Sequence, residues 1–183
     1  MYLDFFGLDE LPFNVTPNPR FLFHTQTHAQ ALEHLRYGIK HRRGFILLTG
    51  DVGTGKTTLC RALLQELSDE YRTALILDPC LSETQLLRAI LHEFGVTDAK
   101  GDRLALREML YRFLLEQHAA SKDAVLIIDE SQHLTFALLE QVRLLSNLET
   151  DDRKLLQIVL AGQPELAAKL AAPRLRQLRQ RIT

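Results

Sequence analysis

The sequence predicts an α/β fold in which a parallel β-sheet lies between two layers of helices. Four short apolar runs are continuous rather than alternating, which is typical of strands buried on both faces. They are Phe45–Thr49, Ala74–Leu77, Ala124–Ile128 and Leu155–Leu160. Helical patterns separate the runs, and strands that alternate with helices form parallel sheets through right-handed crossovers. Of the 183 residues, 46% are hydrophobic, so we expect one domain with a sizeable core.

The predicted helices follow from apolar positions spaced three and four residues apart. One of them begins directly after a glycine-rich turn, and Ser82 and Gln85 form a capping box at the start of another. The helices are expected at residues 28–41, 56–67, 83–91, 102–120 and 135–148, with a short one from Pro164.

Residues 1–24 differ in composition from the rest of the chain. They hold five of the nine phenylalanines and half of the prolines, and each proline disfavours a helix interior. We therefore expect an extended segment clamped on the surface of a domain that covers residues 25–183.

Charge and cysteine content limit the possible classes of protein. With 22 basic and 23 acidic residues the net charge is −1, which argues against a whole-chain electrostatic grip on nucleic acid or anionic lipid. No apolar run reaches the length of about 20 residues that a membrane helix needs, and no basic segment precedes an apolar stretch at the N-terminus. Cys60 and Cys80 form no disulfide framework. We expect a cytoplasmic location.

The segment Gly50–Thr57 matches the pattern G-x-x-x-x-G-K-[ST] between a predicted strand and a predicted helix. Glycines let such a loop curl so that its N–H groups point at phosphate oxygens, and the helix that follows adds the positive end of its dipole. Lys56 is expected to neutralise phosphate charge and Thr57 to ligate Mg²⁺. The predicted nucleotide-binding residues here are Gly50, Asp51, Val52, Gly53, Thr54, Gly55, Lys56, Thr57 and Thr58.

Two acids, Asp129 and Glu130, follow the third predicted strand. In proteins with a phosphate-binding loop, an Asp at this place completes the Mg²⁺ site, and the next acid is placed to polarise an attacking water as general base. A phosphotransferase does not need the second acid, so the pair favours hydrolysis.

Asp78 and Gln163 also follow apolar runs, so both should face the crevice at the carboxyl ends of the strands. Gln163 is a candidate for contact with the γ-phosphate or the attacking water, and Asp78 for a hydrogen bond around Glu130. An ordinary role as strand-end turn residues competes at both positions.

Four arginines lie close together near the end of the sequence: Arg174, Arg176, Arg179 and Arg181. A solvated helix face, a finger that reaches the nucleotide of a neighbouring subunit and a phosphate-backbone contact all remain open for them.

Together these features resemble a AAA+ ATPase, and several segments are similar to the ExeA family, also called general secretion pathway protein A. The similar segments are Tyr2–Leu8, Leu11–Phe13, Thr16–Leu22, Leu144–Glu149, Gln157–Leu160, Gly162–Glu165 and Leu175–Ile182. The resemblance implies a P-loop NTPase fold of three α/β/α layers with strand order 5-1-4-3-2, in which this sequence stops before the fifth strand and the helical lid.

The resemblance also implies roles for single residues. Lys56 and Thr57 correspond to Walker A, Asp129 and Glu130 to Walker B, and Gln163 to sensor 1. Arg181 is implied as the finger that acts in trans, with Arg179 and Arg176 behind it. Phe13 and Pro17 would wall the adenine. The family tends to have Asn in place of Asp78, so a switch that restrains the catalytic Glu is not expected to operate unchanged.

The expected function is therefore an ATP- and Mg²⁺-dependent AAA+ ATPase, slow in turnover without a lid. It would serve a type II secretion or type IV-like pilus machine at the cytoplasmic face of the inner membrane and self-associate through the arginine finger. One alternative is a DNA-binding helper of transposition, against which the near-neutral charge counts; another is a small-molecule phosphotransferase.

Overall fold

The computed structural model describes residues 2–7, 25–67, 69–150 and 153–182. The helices and strands in chain order are α1 (Tyr2–Phe6), α2 (Gln26–Lys40), β1 (Phe45–Thr49), α3 (Lys56–Glu66), β2 (Tyr71–Ile76), α4 (Glu83–Glu93), α5 (Arg103–Ala119), β3 (Asp123–Ile128), α6 (Phe136–Leu145), β4 (Leu156–Gly162), α7 (Pro164–Leu170) and α8 (Arg176–Arg179). Two 3₁₀ turns, Ser131–His133 and Pro173–Leu175, complete the described secondary structure.

The four strands form one parallel sheet in the order β1-β4-β3-β2. This agrees with the predicted order. In it β4 lies between β1, which leads to the phosphate loop (residues 50–55), and β3, which leads to the acid pair (Asp129 and Glu130). Ile182 makes an isolated parallel bridge to Phe45, so the last described residues run beside β1 without adding a full fifth strand.

Helices cover both faces of the sheet, which confirms the predicted three-layer architecture. Alternate residues of each central strand point to opposite faces: Val125 and Ile127 of β3 pack with α2 and α3, whereas Leu126 and Ile128 belong to the larger core under α4, α5 and α6. Because both faces are buried, the strands are apolar throughout, and this explains the continuous runs in the sequence.

The edge strand β2 begins at Tyr71, three residues before the predicted strand. Its first half, Tyr71–Thr73, is only partly buried and carries the exposed Arg72, so it lacks the apolar run that marked the other strands. Backbone pairing with β3 from Tyr71 onward makes it a strand. Hydrophobic patterning alone therefore predicted too short a strand at the edge of the sheet.

The predicted extended N-terminal segment falls largely outside the described residues, and this includes Phe13 and Pro17. Where the segment is described, Tyr2–Phe6 forms a short helix, so the prediction of an extended chain is wrong there. The prolines on which that prediction rested begin only at Pro12, and nothing in residues 2–6 prevents a helical turn. The rings of Phe5 and Phe6 pack edge to face with centroids 4.9 Å apart and remain largely exposed.

Candidate functional site

The carboxyl ends of β1, β3 and β4 meet at one edge of the sheet, where the polar residues predicted from the sequence converge. The loop after β1 is tied to the end of β4, because the Gly50 N–H donates to the Gly162 carbonyl over 3.2 Å. In parallel α/β sheets this edge is where ligands bind.

The loop 50–55 is curled by two glycines and closed by one threonine. Gly53 and Gly55 have φ of 77° and 80°, a left-handed conformation that glycine adopts without strain. The Thr54 hydroxyl donates to the Asp51 carbonyl over 2.8 Å. Gly55 is the N-cap of α3 and provides no side-chain cap, so the first N–H groups of this 11-residue helix are left for an anion at its positive end.

Lys56 lies over the loop in this structure. Its Nζ donates to the Gly50 carbonyl over 2.7 Å and to the Asp51 carbonyl over 2.8 Å. Both acceptors are neutral carbonyls, and phosphate oxygens are stronger partners for an ammonium group because they carry charge. The side chain is thus held close to the loop by bonds that a nucleotide can replace.

Thr57 and Asp129 join the loop to the third strand. The Thr57 hydroxyl donates to Asp129 Oδ2, and Asp129 Oδ1 accepts from the Glu130 N–H over 2.9 Å. Asp129 is only 1% exposed, and no lysine or arginine pairs with it in the described part of the chain. A buried carboxylate without a cation is costly, and a carboxylate beside a hydroxyl is a hard oxygen donor set. These residues therefore fit Mg²⁺.

Glu130 occupies a left-handed backbone conformation, with φ 48° and ψ 34°, which is uncommon for a residue with a Cβ and often found at functional sites. Its Oε2 accepts from Gln132 Nε2 and, over 3.4 Å, from Gln163 Nε2. Gln163, which was predicted to contact the γ-phosphate or the attacking water, therefore lies beside Glu130. Gln132 was missed, although it follows the acid pair by only two residues.

Asp78 does not hydrogen-bond with Glu130 in the described part of the chain. Its Oδ1 instead accepts from the Cys80 N–H over 3.1 Å, so the carboxylate stabilises the turn after β2, as the competing interpretation predicted. Hydrogen bonds from the Cys80 backbone and side chain, with a smaller contribution from His133, lower the pKa of Asp78 below its ordinary value.

Arg181 lies away from the phosphate loop. Its Nη1 donates to Ser146 Oγ over 2.9 Å and to Asn147 Oδ1, just after α6. The neighbouring Ile182 bridges to Phe45 at the start of β1, whereas the phosphate loop follows the other end of this strand, about 13 Å away. Arg181 therefore lies near the amino end of β1, away from the phosphate loop.

The other three arginines of this cluster lie in different surroundings from Arg181. Arg174 stacks on the Phe136 ring, with Cζ 3.3 Å from the centroid, and Arg176 and Arg179 are exposed on α8. Of the remaining predicted nucleotide contacts, Val52 is 77% exposed at the loop tip and Thr58 lies in the first turn of α3.

The parallel sheet, the loop with its lysine and the acid pair together have the architecture of a P-loop NTPase domain. The AAA domain family matches residues 39–170, and the chain belongs to this family. A general secretion pathway protein A from Aeromonas hydrophila is 54% identical over an alignment of 184 positions, which covers 100% of this chain and 34% of that protein. This confirms the similarity that the sequence segments indicated, over about a third of the relative's length.

Solved structures agree on the fold. The ORC2 protein of Aeropyrum pernix, in its ADPNP-ADP complexes, superimposes with a TM-score of 0.68 at 18% identity and covers 94% of this chain and 49% of its own. CDC6P from Pyrobaculum aerophilum gives a TM-score of 0.69 at 16% identity, over 93% and 47% of the two chains. At these identities the likeness concerns the fold alone.

Among the described residues no helix combines the length and apolar character needed to cross a bilayer.

Proposed function

We propose that this chain binds ATP with Mg²⁺ and hydrolyses it to ADP and phosphate. The observation that carries the proposal is the hydrogen bond between Thr57 and Asp129, because it brings the phosphate loop and the acid pair to one edge of the sheet. Each half is a common local pattern, and only their contact makes a site for a metal-bound triphosphate.

Each residue then has a role in that reaction. The N–H groups of loop 50–55 and of the start of α3 bind the phosphates, and Lys56 exchanges its carbonyl partners for β- and γ-phosphate oxygens. Thr57 and Asp129 hold Mg²⁺, which when bound neutralises phosphate charge that develops in the transition state. Glu130 takes the proton of the attacking water, and Gln163 lies close enough to Glu130 to orient that water.

Arg181 is proposed to act on a nucleotide bound by a second copy of the chain, since it lies away from the phosphate loop of its own chain. ATP would then favour self-association, because an arginine that stabilises the transition state from a neighbour needs an assembled interface. Phe13 in the segment 1–24 is proposed to wall the adenine, with residues 25–183 as the nucleotide-binding domain.

The identity to general secretion pathway protein A supports a role in energising a type II secretion or type IV-like pilus machine. Its partners would be assembly proteins at the inner membrane, with this domain on the cytoplasmic side. The formal net charge of −1 gives no support for a nucleic-acid partner.

The test compares phosphate release and nucleotide binding in the wild type and in Glu130→Gln. The wild type is expected to release phosphate from ATP and Mg²⁺ without an acceptor molecule. Glu130→Gln should lose at least about 100-fold in turnover and keep its affinity for ATP. A phosphotransferase would release no phosphate without an acceptor, and failure of the wild type to bind ATP at millimolar concentrations would contradict the proposal altogether.

A further inference from the structure

Gln132 connects two residues of the candidate site that come from different strands. It lies in the 3₁₀ turn after Glu130 and is 9% exposed. Its Oε1 accepts from the Gln163 N–H over 3.1 Å, and its Nε2 donates to Glu130 Oε2. One buried amide thus spans from the end of β4 to the proposed general base.

The orientation of this amide is determined by its two partners. The Gln163 N–H can only donate and a carboxylate oxygen can only accept. Exchanging the oxygen and nitrogen of the Gln132 amide would place donor against donor at one end and acceptor against acceptor at the other. The amide therefore fits between these partners in a single orientation.

The backbone around Gln132 is fixed as well. Lys169 Nζ donates to the carbonyls of Gln132 and, over 3.0 Å, of Leu134. The Ser131 hydroxyl donates to the Ile128 carbonyl over 2.7 Å. Gly162 leaves room for the amide, because a Cβ there would lie 2.7 Å from Gln132 Oε1 and 3.3 Å from its backbone nitrogen.

Both amide donors that reach Glu130 bind the same oxygen, Oε2. Oε1 accepts no hydrogen bond from the other described residues. We propose that Gln132 is a positioning residue for the ATPase reaction: it holds Oε2 of Glu130, so that Oε1 stays in place to accept the proton of the attacking water, and it ties that carboxylate to Gln163. This inference rests on the proposed ATP hydrolysis.

A positioning role predicts a loss of turnover without a loss of binding. Gln132 contacts neither the phosphate loop nor the Thr57–Asp129 pair through any hydrogen bond in the described part of the chain, so nucleotide affinity should not depend on it. A base that is displaced by about 1 Å costs up to about 100-fold in rate. We therefore expect Gln132→Met, which keeps the length but has no hydrogen-bonding groups, to lower kcat about 10- to 100-fold.

The matched control is Gln141→Met on α6. Gln141 is equally buried, at 7% exposure, and its Nε2 donates to a backbone carbonyl, that of Glu83, over 3.0 Å, away from the acid pair. Gln141 Oε1 is buried and has no hydrogen-bond partner among the described residues, so Gln141→Met loses one buried amide bond where Gln132→Met loses two. Its melting temperature should therefore fall by less than that of Gln132→Met, while kcat stays within about 2-fold of the wild type. The comparison separates positioning from a general loss of buried amide bonds.

The experiment measures kcat, KM for MgATP, nucleotide Kd and melting temperature for the wild type, both variants, and Gln132→Met combined with Glu130→Gln. Gln132→Met is expected to have a lower kcat with Kd unchanged. The double variant is expected to have the same turnover as Glu130→Gln alone, since no base remains to be positioned.

A kcat of Gln132→Met within about 2-fold of that of Gln141→Met would overturn the inference and leave ATP hydrolysis intact. Equal losses in kcat and nucleotide binding would also overturn it, because they indicate a structural role. Absence of turnover in the wild type would overturn the proposed function and this inference together. If Gln132→Met does not fold, Gln132→Asn, which is too short to reach both partners, provides the same readouts.

Discussion

The phosphate loop and the acid pair form two halves of one site and are built in different ways. Loop 50–55 is shaped by its own backbone, by left-handed glycines and by a lysine that bonds to loop carbonyls. In the acid half Asp129 is buried and Glu130 half-buried, and the side chains of Gln132 in the 3₁₀ turn and Gln163 at the β4 end donate to the Glu130 carboxylate. Binding of phosphates thus depends on local geometry, whereas the proposed hydrolysis depends on contacts distant in sequence.

This difference predicts that the two halves can be disabled separately. The Thr57–Asp129 hydrogen bond is the direct side-chain link between them. Changes within the loop should act on nucleotide affinity, and changes around Glu130 should act on turnover.

The largest effect on nucleotide binding is expected from Lys56→Ala, which removes the cation of the loop half. Loss of a charge-assisted contact of about 3 kcal/mol weakens ATP binding about 100-fold, and calorimetry or fluorescent-nucleotide titration measures it. Lys100→Ala is the control, because Lys100 is an exposed cation whose Nζ lies 2.7 Å from Asp98. An affinity of Lys56→Ala within about 3-fold of the control would contradict the assignment of binding to the loop half.

Asp129→Asn acts at the link between the two halves and should change the Mg²⁺ requirement. The substitution removes the charge and keeps an oxygen for the Glu130 N–H, so we expect about a 10-fold higher Mg²⁺ concentration for half-maximal turnover. Because the buried carboxylate has no cationic partner among the described residues, its removal should not lower the melting temperature in EDTA. An unchanged Mg²⁺ dependence would place the metal elsewhere.

The two halves also differ in how far the sequence predicted them. Gly50–Thr57 could be interpreted residue by residue, because glycine conformations and the start of a helix are local properties of the chain. The apolar runs likewise predicted a parallel sheet, since strands with two buried faces leave a continuous pattern. Edge strand β2 was predicted only in part, because pairing with β3 rather than apolar character defines its start.

The side-chain network of the acid half could not be predicted in the same way. Gln132 is an ordinary polar residue in sequence, and its two partners become neighbours only when β3 and β4 pair. Asp78 illustrates the reverse case: its position at a strand end suggested Glu130 as a partner, but the turn to Cys80 uses its carboxylate. Strand order brings residues to one edge, and packing decides which of them bond.

Gly162→Ala should sharpen the comparison, because it disturbs the acid half without altering any charged or amide side chain. The new Cβ would come within 2.7 Å of Gln132 Oε1 and 3.0 Å of Leu166 Cδ2, so the amide has to move. We expect kcat to fall about 10-fold and stability to fall by about 1–3 kcal/mol, measured by phosphate release and urea unfolding. Turnover equal to that of the wild type would contradict the dependence on Gln132.

The smallest expected effect concerns Cys60, a fully buried residue of α3 that lies within the electrostatic reach of both halves. Burial raises the pKa of its thiol from the ordinary 9.0 to about 12, with Asp129 adding to the increase and Lys56 opposing it. Above pH 9 the unfolded chain releases this proton while the folded chain keeps it. The free energy of unfolding therefore falls as pH rises, by up to about 1.4 kcal/mol per pH unit.

Urea unfolding at pH 8 and pH 10 tests this for the wild type, Cys60→Ala and Cys80→Ala. Between these values the wild type should lose about 1 kcal/mol more stability than Cys60→Ala, because the alanine variant has no thiol at this site to titrate. Cys80 is exposed, so its removal should leave most of the pH dependence in place. If Cys60→Ala retained the full dependence, another group would be its source, and the burial of the Cys60 thiol beside Asp129 in the wild type would be contradicted.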